Sequence, residues 1–233
     1  MFEHITENYR LLHDEIAAVC AEAGRDPSDV RLMAVTKTVP PDAINHAISL
    51  GIDLIGENRV QELAEKRPLL NLSGVELHLI GHLQTNKVRA VVPGVDCVQS
   101  ADSVRLAREI SKCAVMAGIT QPVLAEVNIG GEESKFGFAP NELLPALAEI
   151  ALLPGVRIDG LMTVAPFTQN SDDNRTNFAA LRRIFLDIAG EKLDNIHMHT
   201  LSMGMSSDFR EAVAAGSTLV RVGSALFGQR TVR

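Results

Sequence analysis

The apolar positions of this chain fall into short segments whose spacing alternates regularly. The first segment has a helical period: Ile5, Leu12, Ile16 and Val19 lie on one stripe, which predicts a helix over about residues 2–22 with Gly24 suited to its end. RLMAVTK (31–37) follows, a compact apolar run bounded by polar residues, which reads as a buried strand. Pro40 and Pro41 then open a helix, where a missing N–H costs little. Ala43, Ile44, Ala47 and Ile48 form its apolar face and Gly51 closes it.

The same alternation runs on along the chain. Strands are predicted at 53–56, 75–81, 95–99, 122–128, 156–162, 195–201 and 218–222, and helices at about 59–70, 84–91, 102–117, 141–152, 173–189 and 206–214. Asp102 and Asn141 are expected to cap two of these helices. Phe178, Leu181, Phe185 and Ile188 mark the buried side of the helix that stops at Gly190. Eight strands, each but the last followed by a helix, and most of them continuous apolar runs, predict an α/β protein: a TIM-type (β/α)8 barrel with an extra N-terminal helix. An open doubly wound sheet is the competing arrangement, but neither a GxGxxG nor a GxxxxGK[ST] fingerprint favours it. No linker or composition break interrupts the pattern, so residues 1–233 are expected to form one domain.

Composition narrows the function classes. The 233 residues suit one barrel, and with 46% apolar residues but no Trp and one Tyr the core must be built on aliphatic side chains. Net charge is −7 and no Lys/Arg run exists, which gives no support for nucleic-acid or anionic-membrane binding. Cys20, Cys97 and Cys113 are scattered and odd in number, so neither a disulfide framework nor a metal site is expected. The polar N-terminus and the lack of a long apolar stretch exclude a signal peptide or a helical membrane span, and a cytoplasmic protein is expected.

In a barrel of this kind, chemistry sits where the strands end. The first strand ends in Lys37. An ammonium at the barrel mouth is partly desolvated, which favours the neutral amine that imine formation with an aldehyde requires. A lysine that reaches solvent, or merely binds an anion, would read the same way. Glu57 and Asn58 end the second strand, and His82, Gln84, Asn86 and Lys87 follow the third. For His82 a place in a solvated first turn is the simpler reading. Gly130–Gly131 and Lys135 make the 129–138 segment a candidate lid or rim.

The last two strands add a phosphate signature. LSMGMSSD (201–208) is a hydroxyl-rich, Gly-containing turn leading into a helix, and Gly223–Ser224 lie just past the eighth strand. Turns at these two strands, with a helix N-terminus, form the phosphate site common in such barrels. Arg221, inside the apolar eighth strand, demands a partner, either a carboxylate or an acceptor atom of a ligand. An imine-forming lysine, a phosphate cup and a cation between them would together suit pyridoxal 5′-phosphate (PLP).

Seven stretches carry a wider likeness: AVTK (34–37), GENRVQE (56–62), HLIGHLQTNK (78–87), EVNIGGEESKFGF (126–138), GLMTVAP (160–166), LSMGMSSDF (201–209) and VRVGSALFG (220–228). Through them the chain resembles the pyridoxal phosphate homeostasis protein family, whose fold is like the N-terminal barrel of alanine racemase (PLP fold type III). The resemblance implies that Lys37 carries PLP as a Schiff base. It further implies that Ser206, Gly223 and Ser224 hold the phosphate with help from Ser202, that Arg221 faces the pyridine nitrogen, and that Asn58 lies near the ring. Arg59 stands where the family often has an aromatic residue, which puts the packing around Asn58 in question.

The resemblance also implies a role in vitamin B6 homeostasis, storing PLP or delivering it to PLP-dependent apo-enzymes, with no catalytic residues assigned. Independently, an arginine at the pyridine nitrogen disfavours its protonation and weakens the ring as an electron sink. A racemase also needs an acid–base group on each face of the α-carbon. The chain ends at Arg233, shortly after the eighth strand, and its sole tyrosine, Tyr9, falls in the first helix. An open site with no further β domain is therefore expected. The rivals are a minimal PLP-dependent amino-acid racemase, with His82 or His199 as second base, and a lysine aldolase barrel without a cofactor.

Overall fold

The computed structural model describes residues 2–132, 134–166, 171–191 and 193–229. Each apolar run becomes a strand: β1 (Arg31–Val35), β2 (Leu54–Glu57), β3 (Glu76–Leu79), β4 (Cys97–Ala101), β5 (Gln121–Glu126), β6 (Val156–Met162), β7 (Ile196–Met205) and β8 (Leu219–Val222). Neighbours pair in parallel in chain order, and β8 returns to β1 in the register Arg31↔Leu219 to Ala34↔Val222. The barrel is closed, so the doubly wound alternative fails: closure gives every strand two partners and leaves no edge.

The helices are α1 (Glu3–Glu22), α2 (Pro41–Ser49), α3 (Val60–Lys66), α4 (Val88–Val91), α5 (Val104–Ala117), α6 (Pro140–Ala151), α7 (Ser171–Gly190), α8 (Phe209–Ala214) and α9 (Ser224–Phe227). Their buried faces pack outside the strands in one apolar shell, with Phe178, Leu181 and Phe185 of α7 where the period placed them. No helix among the described residues is long and apolar enough to cross a membrane.

Four details depart from the sequence reading. The eighth strand is followed by a helix after all, the single turn α9. β7 runs on to Met205, because Gly204, at φ +92°, carries the backbone past Phe209 and Ala212, where a Cβ would collide. Residues 206–208 are therefore a turn, and α8 begins only at Phe209. The caps also move: Ser103, not Asp102, accepts the N–H of Leu106, and α6 starts on Pro140 with Ala139 ahead of it, so Asn141 caps nothing. Pro at the first helical position needs no capping side chain for its own missing N–H.

α1 braces the end of the chain. It packs on α2, α8 and α9, and Asn8 Nδ2 donates to the Leu226 carbonyl at 3.0 Å. The extra helix thus supports the two turns that follow β7 and β8.

Inside the barrel, Met33, Leu54 and Leu219 pack together with Ile80, and Cys97, Leu124 and Met162 form a second cluster. Gly56 must lack a side chain, since a Cβ there would meet Met33 Sδ and Ile80. The interior opens at both ends. At the N-terminal ends of the strands a cavity of about 660 Å³ is lined by Arg31, Glu76, His78, Arg157 and Asp159 among others. Its charges pair with one another, Arg31 with Glu76 at 3.1 Å and Arg157 with Asp159 at 2.6 Å, as suits the stabilising face of such a barrel.

Candidate functional site

At the opposite end a cavity of about 640 Å³ is lined by Lys37, Asn58, Ser206, Arg221, Gly223 and Ser224, together with Val35, Ile80, Val164, Met205, Ser207 and Gln229. Alternation along β1 explains why Lys37 is there. Met33 points inward, so Val35 and Lys37, two and four residues on, face the same side and reach the mouth.

The backbone around Lys37 is held from behind. Lys66 Nζ donates to the Thr36 carbonyl at 2.7 Å, to Glu57 Oε1 at 2.7 Å and to Glu62 Oε2 at 2.9 Å. Glu62 also accepts the Thr38 N–H at 2.8 Å, and the Thr36 hydroxyl donates to Glu57 at 2.6 Å. Thr38 sits at φ +62°, a left-handed conformation that a β-branched residue adopts only under constraint. The residues on either side of Lys37 are thus tied to one buried ion cluster. Burial pushes the Glu57 carboxyl up, while its bonds to Lys66 and Thr36 act against that shift. Glu57 therefore faces α3, not the cavity as its place at the rim allowed.

Asn58 follows β2 and is brought to the cavity by Gly81, since any Cβ at Gly81 would collide with the Asn58 carbonyl. Asn58 Oδ1 is buried and has no hydrogen-bond partner among the described residues. Arg59 is exposed at the start of α3, so Asn58 does not depend on packing at that position.

The turns after β7 and β8 meet over the cavity. Ser206 Oγ accepts from the backbone N–H of Gly223 at 3.1 Å and of Ala225 at 3.3 Å, so the donors of α9's first turn converge on one point. Asp208 shapes the turn, accepting the Met205 N–H at 2.6 Å with one oxygen and Asn174 Nδ2 at 3.1 Å with the other. Burial raises the Asp208 carboxyl. The structure thus brings the Ser206 hydroxyl and the first N–H groups of α9 together at one corner of the cavity.

Arg221 lines the same cavity and is 4% exposed. Its Nη1 donates to Ser202 Oγ and its Nη2 to the Thr163 carbonyl, both at 2.6 Å. Both acceptors are neutral, and no ion pair to Arg221 is seen among the described residues. Burial pulls the guanidinium down to about 10, with Glu126 and Asp208 acting in the opposite direction from farther off. Five donors in a buried guanidinium with two neutral acceptors leave N–H groups for an acceptor in the cavity.

Ser202 is the expected phosphate ligand that the structure places elsewhere. It is fully buried, does not line the cavity, and its hydroxyl accepts from Arg221 and donates to Gln99 Oε1 at 2.7 Å. Ser202 lies within β7, before the register shift that ends at Met205, whereas Ser206 lies in the turn beyond the strand.

The remaining rim residues lie outside the cavity. His82 stacks on Phe136 with centroids 3.6 Å apart and bonds Asp102 at 2.9 Å. Lys135 Nζ donates to the Ala165 carbonyl at 3.0 Å, so the described part of the 129–138 segment is pinned to the rim at β3 and β6. Asn86 and Lys87 belong to a 3₁₀ turn (Thr85–Lys87) that Gln84 precedes, and none of the three lines the cavity. His199 lines the other end of the barrel. The sequence reading missed Gln99, His78 and Glu126. The first two were visible as polar residues inside apolar strands, where each must find a partner. Burial and Asp102 push the Glu126 carboxyl up to about 7, with Arg221 opposing.

Comparison with known proteins places the chain among relatives. A family model described as the N-terminal domain of alanine racemase matches residues 5–231. The pyridoxal phosphate homeostasis protein of Aquifex aeolicus is 42% identical over 217 residues, covering 93% of this chain and 94% of that protein. A solved protein from Bifidobacterium adolescentis superposes with a TM-score of 0.92 at 39% identity, covering 97% of this chain and 95% of its own. PipY of Synechococcus elongatus PCC7942, solved with PLP bound, gives a TM-score of 0.79 at 35% identity and covers 91% of this chain and all of its own, 100%.

Proposed function

The chain belongs to the alanine racemase N-terminal-domain family and, within it, to the pyridoxal phosphate homeostasis proteins, and on that premise we propose that it binds PLP through Lys37 and stores or delivers it rather than turning over a substrate with it. One observation carries the reading: Lys37, Asn58, Ser206, Arg221, Gly223 and Ser224 line a single cavity. The residues suit the group. Lys37 supplies an amine for the aldehyde, and the turns after β7 and β8 supply the anion cup. Arg221 has N–H groups left for an acceptor such as the pyridine nitrogen, and Asn58 holds an unpartnered oxygen beside it.

When bound, PLP supplies an electron sink for carbanion chemistry. The chain's own residues do little to exploit it. Arg221 stays charged and offers no proton that would put positive charge on the ring nitrogen. Among the described residues lining the cavity there is no carboxylate, histidine or tyrosine to work opposite Lys37. His82 and His199, the second bases a racemase reading would use, are respectively stacked at the rim and at the far end of the barrel. A lone amine can hold an aldehyde, but two-sided proton exchange at an α-carbon needs a second group. Against the aldolase reading stand the place of Lys37 just past the first strand and the family to which the chain belongs.

The test is solvent deuterium exchange at the α-carbon of alanine and other amino acids by the PLP-loaded protein. Carriage predicts exchange far below enzyme turnover, with cofactor passing to an added PLP-dependent apo-enzyme. Exchange at about 1–10³ s⁻¹ would establish an enzyme instead.

A further inference from the structure

Arg221 is the upper end of a line of hydrogen bonds that descends the barrel interior. Arg221 Nη1 donates to Ser202 Oγ at 2.6 Å, and Ser202 Oγ donates to Gln99 Oε1 at 2.7 Å. Gln99 Nε2 meets His78 Nδ1 at 2.9 Å, and His78 Nε2 meets Glu76 Oε2 at 3.2 Å. Arg31 closes the lower end, Nη1 donating to Glu76 at 3.1 Å. The members come from β8, β7, β4, β3 and β1, and Ser202 and Gln99 are fully buried.

The chemistry of the two ends fixes every proton in between. A guanidinium can only donate, so Ser202 Oγ must accept from Arg221 and turn its own proton to Gln99. Gln99 must then present its oxygen to Ser202 and its amide N–H to His78. That makes His78 Nδ1 an acceptor and puts the ring proton on Nε2, facing a carboxylate. Glu76 is held down at about 2, first by the bond from His78 and also by Arg31, so that end is an anion. Turning the Gln99 amide over would put two donors on the Ser202 oxygen and leave the Ser202 proton without its acceptor. The line runs one way, from cation to anion, and bonds in such a chain polarise one another.

We propose that Ser202, Gln99 and His78 are positioning residues for Arg221, holding the guanidinium by neutral acceptors so that its remaining N–H groups stay directed at the ring nitrogen of the cofactor. The proposal rests on the PLP reading above. It explains why a buried arginine has no ion pair among the described residues. A carboxylate in the place of Ser202 would satisfy the charge internally and compete with the ligand. Ser202 satisfies one N–H and leaves the charge to be used. It also ties the cofactor site to the far end of the barrel, where Glu76 and Arg31 line the other cavity.

The test uses PLP isotopically labelled at the ring nitrogen, bound to the wild-type protein and to Ser202→Ala, Gln99→Leu and Arg221→Ala. The ring-nitrogen resonance of Ser202→Ala and Gln99→Leu is expected to move toward that of Arg221→Ala. Their dissociation constants should rise about tenfold, the worth of one lost hydrogen bond to a charged group. Ser202→Thr retains the hydroxyl that accepts from Arg221 and donates to Gln99, and should keep most of the wild-type resonance. Lower melting temperatures with an unmoved resonance would make the line merely structural and overturn the proposal. If Gln99→Leu does not fold, Ser202→Ala, which removes one oxygen atom, decides alone. A resonance insensitive even to Arg221→Ala would instead overturn the ring contact itself, and the line's role with it, and that outcome is distinguishable because wild type and Arg221→Ala would then agree.

Discussion

At the scale of single residues, the site contains charges in places that cost stability. Arg221 is buried against neutral acceptors, an arrangement that disfavours the apo fold and favours binding. Arg221→Met is therefore expected to give an apo protein that melts at or above the wild-type temperature yet binds PLP at least tenfold more weakly, read by thermal denaturation with and without cofactor. Glu126 makes a second residue-scale prediction. Its folded value near 7 lies above the ordinary carboxylate range, so between about 4.5 and 7 the folded state holds a proton that the unfolded state has lost. Its contribution to stability is full below that window and falls as pH rises through it, by on the order of 3 kcal/mol. Glu126→Gln should stabilise the protein at pH 8 and leave it little changed at pH 4.5, measured by denaturant unfolding. Glu76 works with the opposite sign and lower down: held near 2, it contributes stability above its unfolded value that is lost as pH falls toward 2. The two windows do not overlap, so the effect of Glu126→Gln can be read separately.

At the scale of elements, the unit that matters is β1 with β2 and α3. Lys66, 8% exposed, joins the Thr36 carbonyl, Glu57 and Glu62, and through them fixes the peptide on either side of Lys37. Lys66→Met strands the Glu57 carboxylate and should cost about 3–5 kcal/mol, the usual penalty for breaking a buried pair from one side. The double variant Lys66→Met with Glu57→Gln should recover much of that stability but not the full PLP affinity, because the Thr36 carbonyl remains unheld. Unfolding and binding curves for the wild type and both variants check this. The same unit shows what the sequence revealed and what it hid. Lys37 stood out because an amine ending an apolar strand has few structural reasons to be there. The clamp behind it did not, because Lys66 on a helix reads as an ordinary solvated lysine until α3 is laid on the barrel. Ser202 and Ser206 were read as one hydroxyl-rich turn. Ser202 lies within β7, before the register shift, and Ser206 in the turn beyond the strand, and no local pattern announces a bulge. The misplaced caps at Asp102 and Asn141 failed for a simpler reason: an adjacent Ser103 and a Pro140 were equally good starts.

At the scale of the whole molecule, the alternation of apolar runs was enough to give eight parallel strands and their helices, since most of the strands are buried on both faces and read as continuous apolar runs. Closure was not legible in any one strand; it follows from eight units twisting until β8 meets β1. The polar line from Arg221 to Arg31 was beyond reach for the same reason, because all its links but His78–Glu76 join residues 19 to 103 positions apart that the closed barrel brings together. Closure also sets the chemistry, because it brings Lys37 of the first unit beside the turns of the seventh and eighth. The most direct measurement of that claim is borohydride reduction of the PLP-loaded protein followed by peptide mapping. The label is predicted on the peptide containing Lys37, with melting temperature rising as free PLP is added before reduction. A wild-type protein labelled mainly at Lys135 or another lysine, or not labelled at all, would contradict the account.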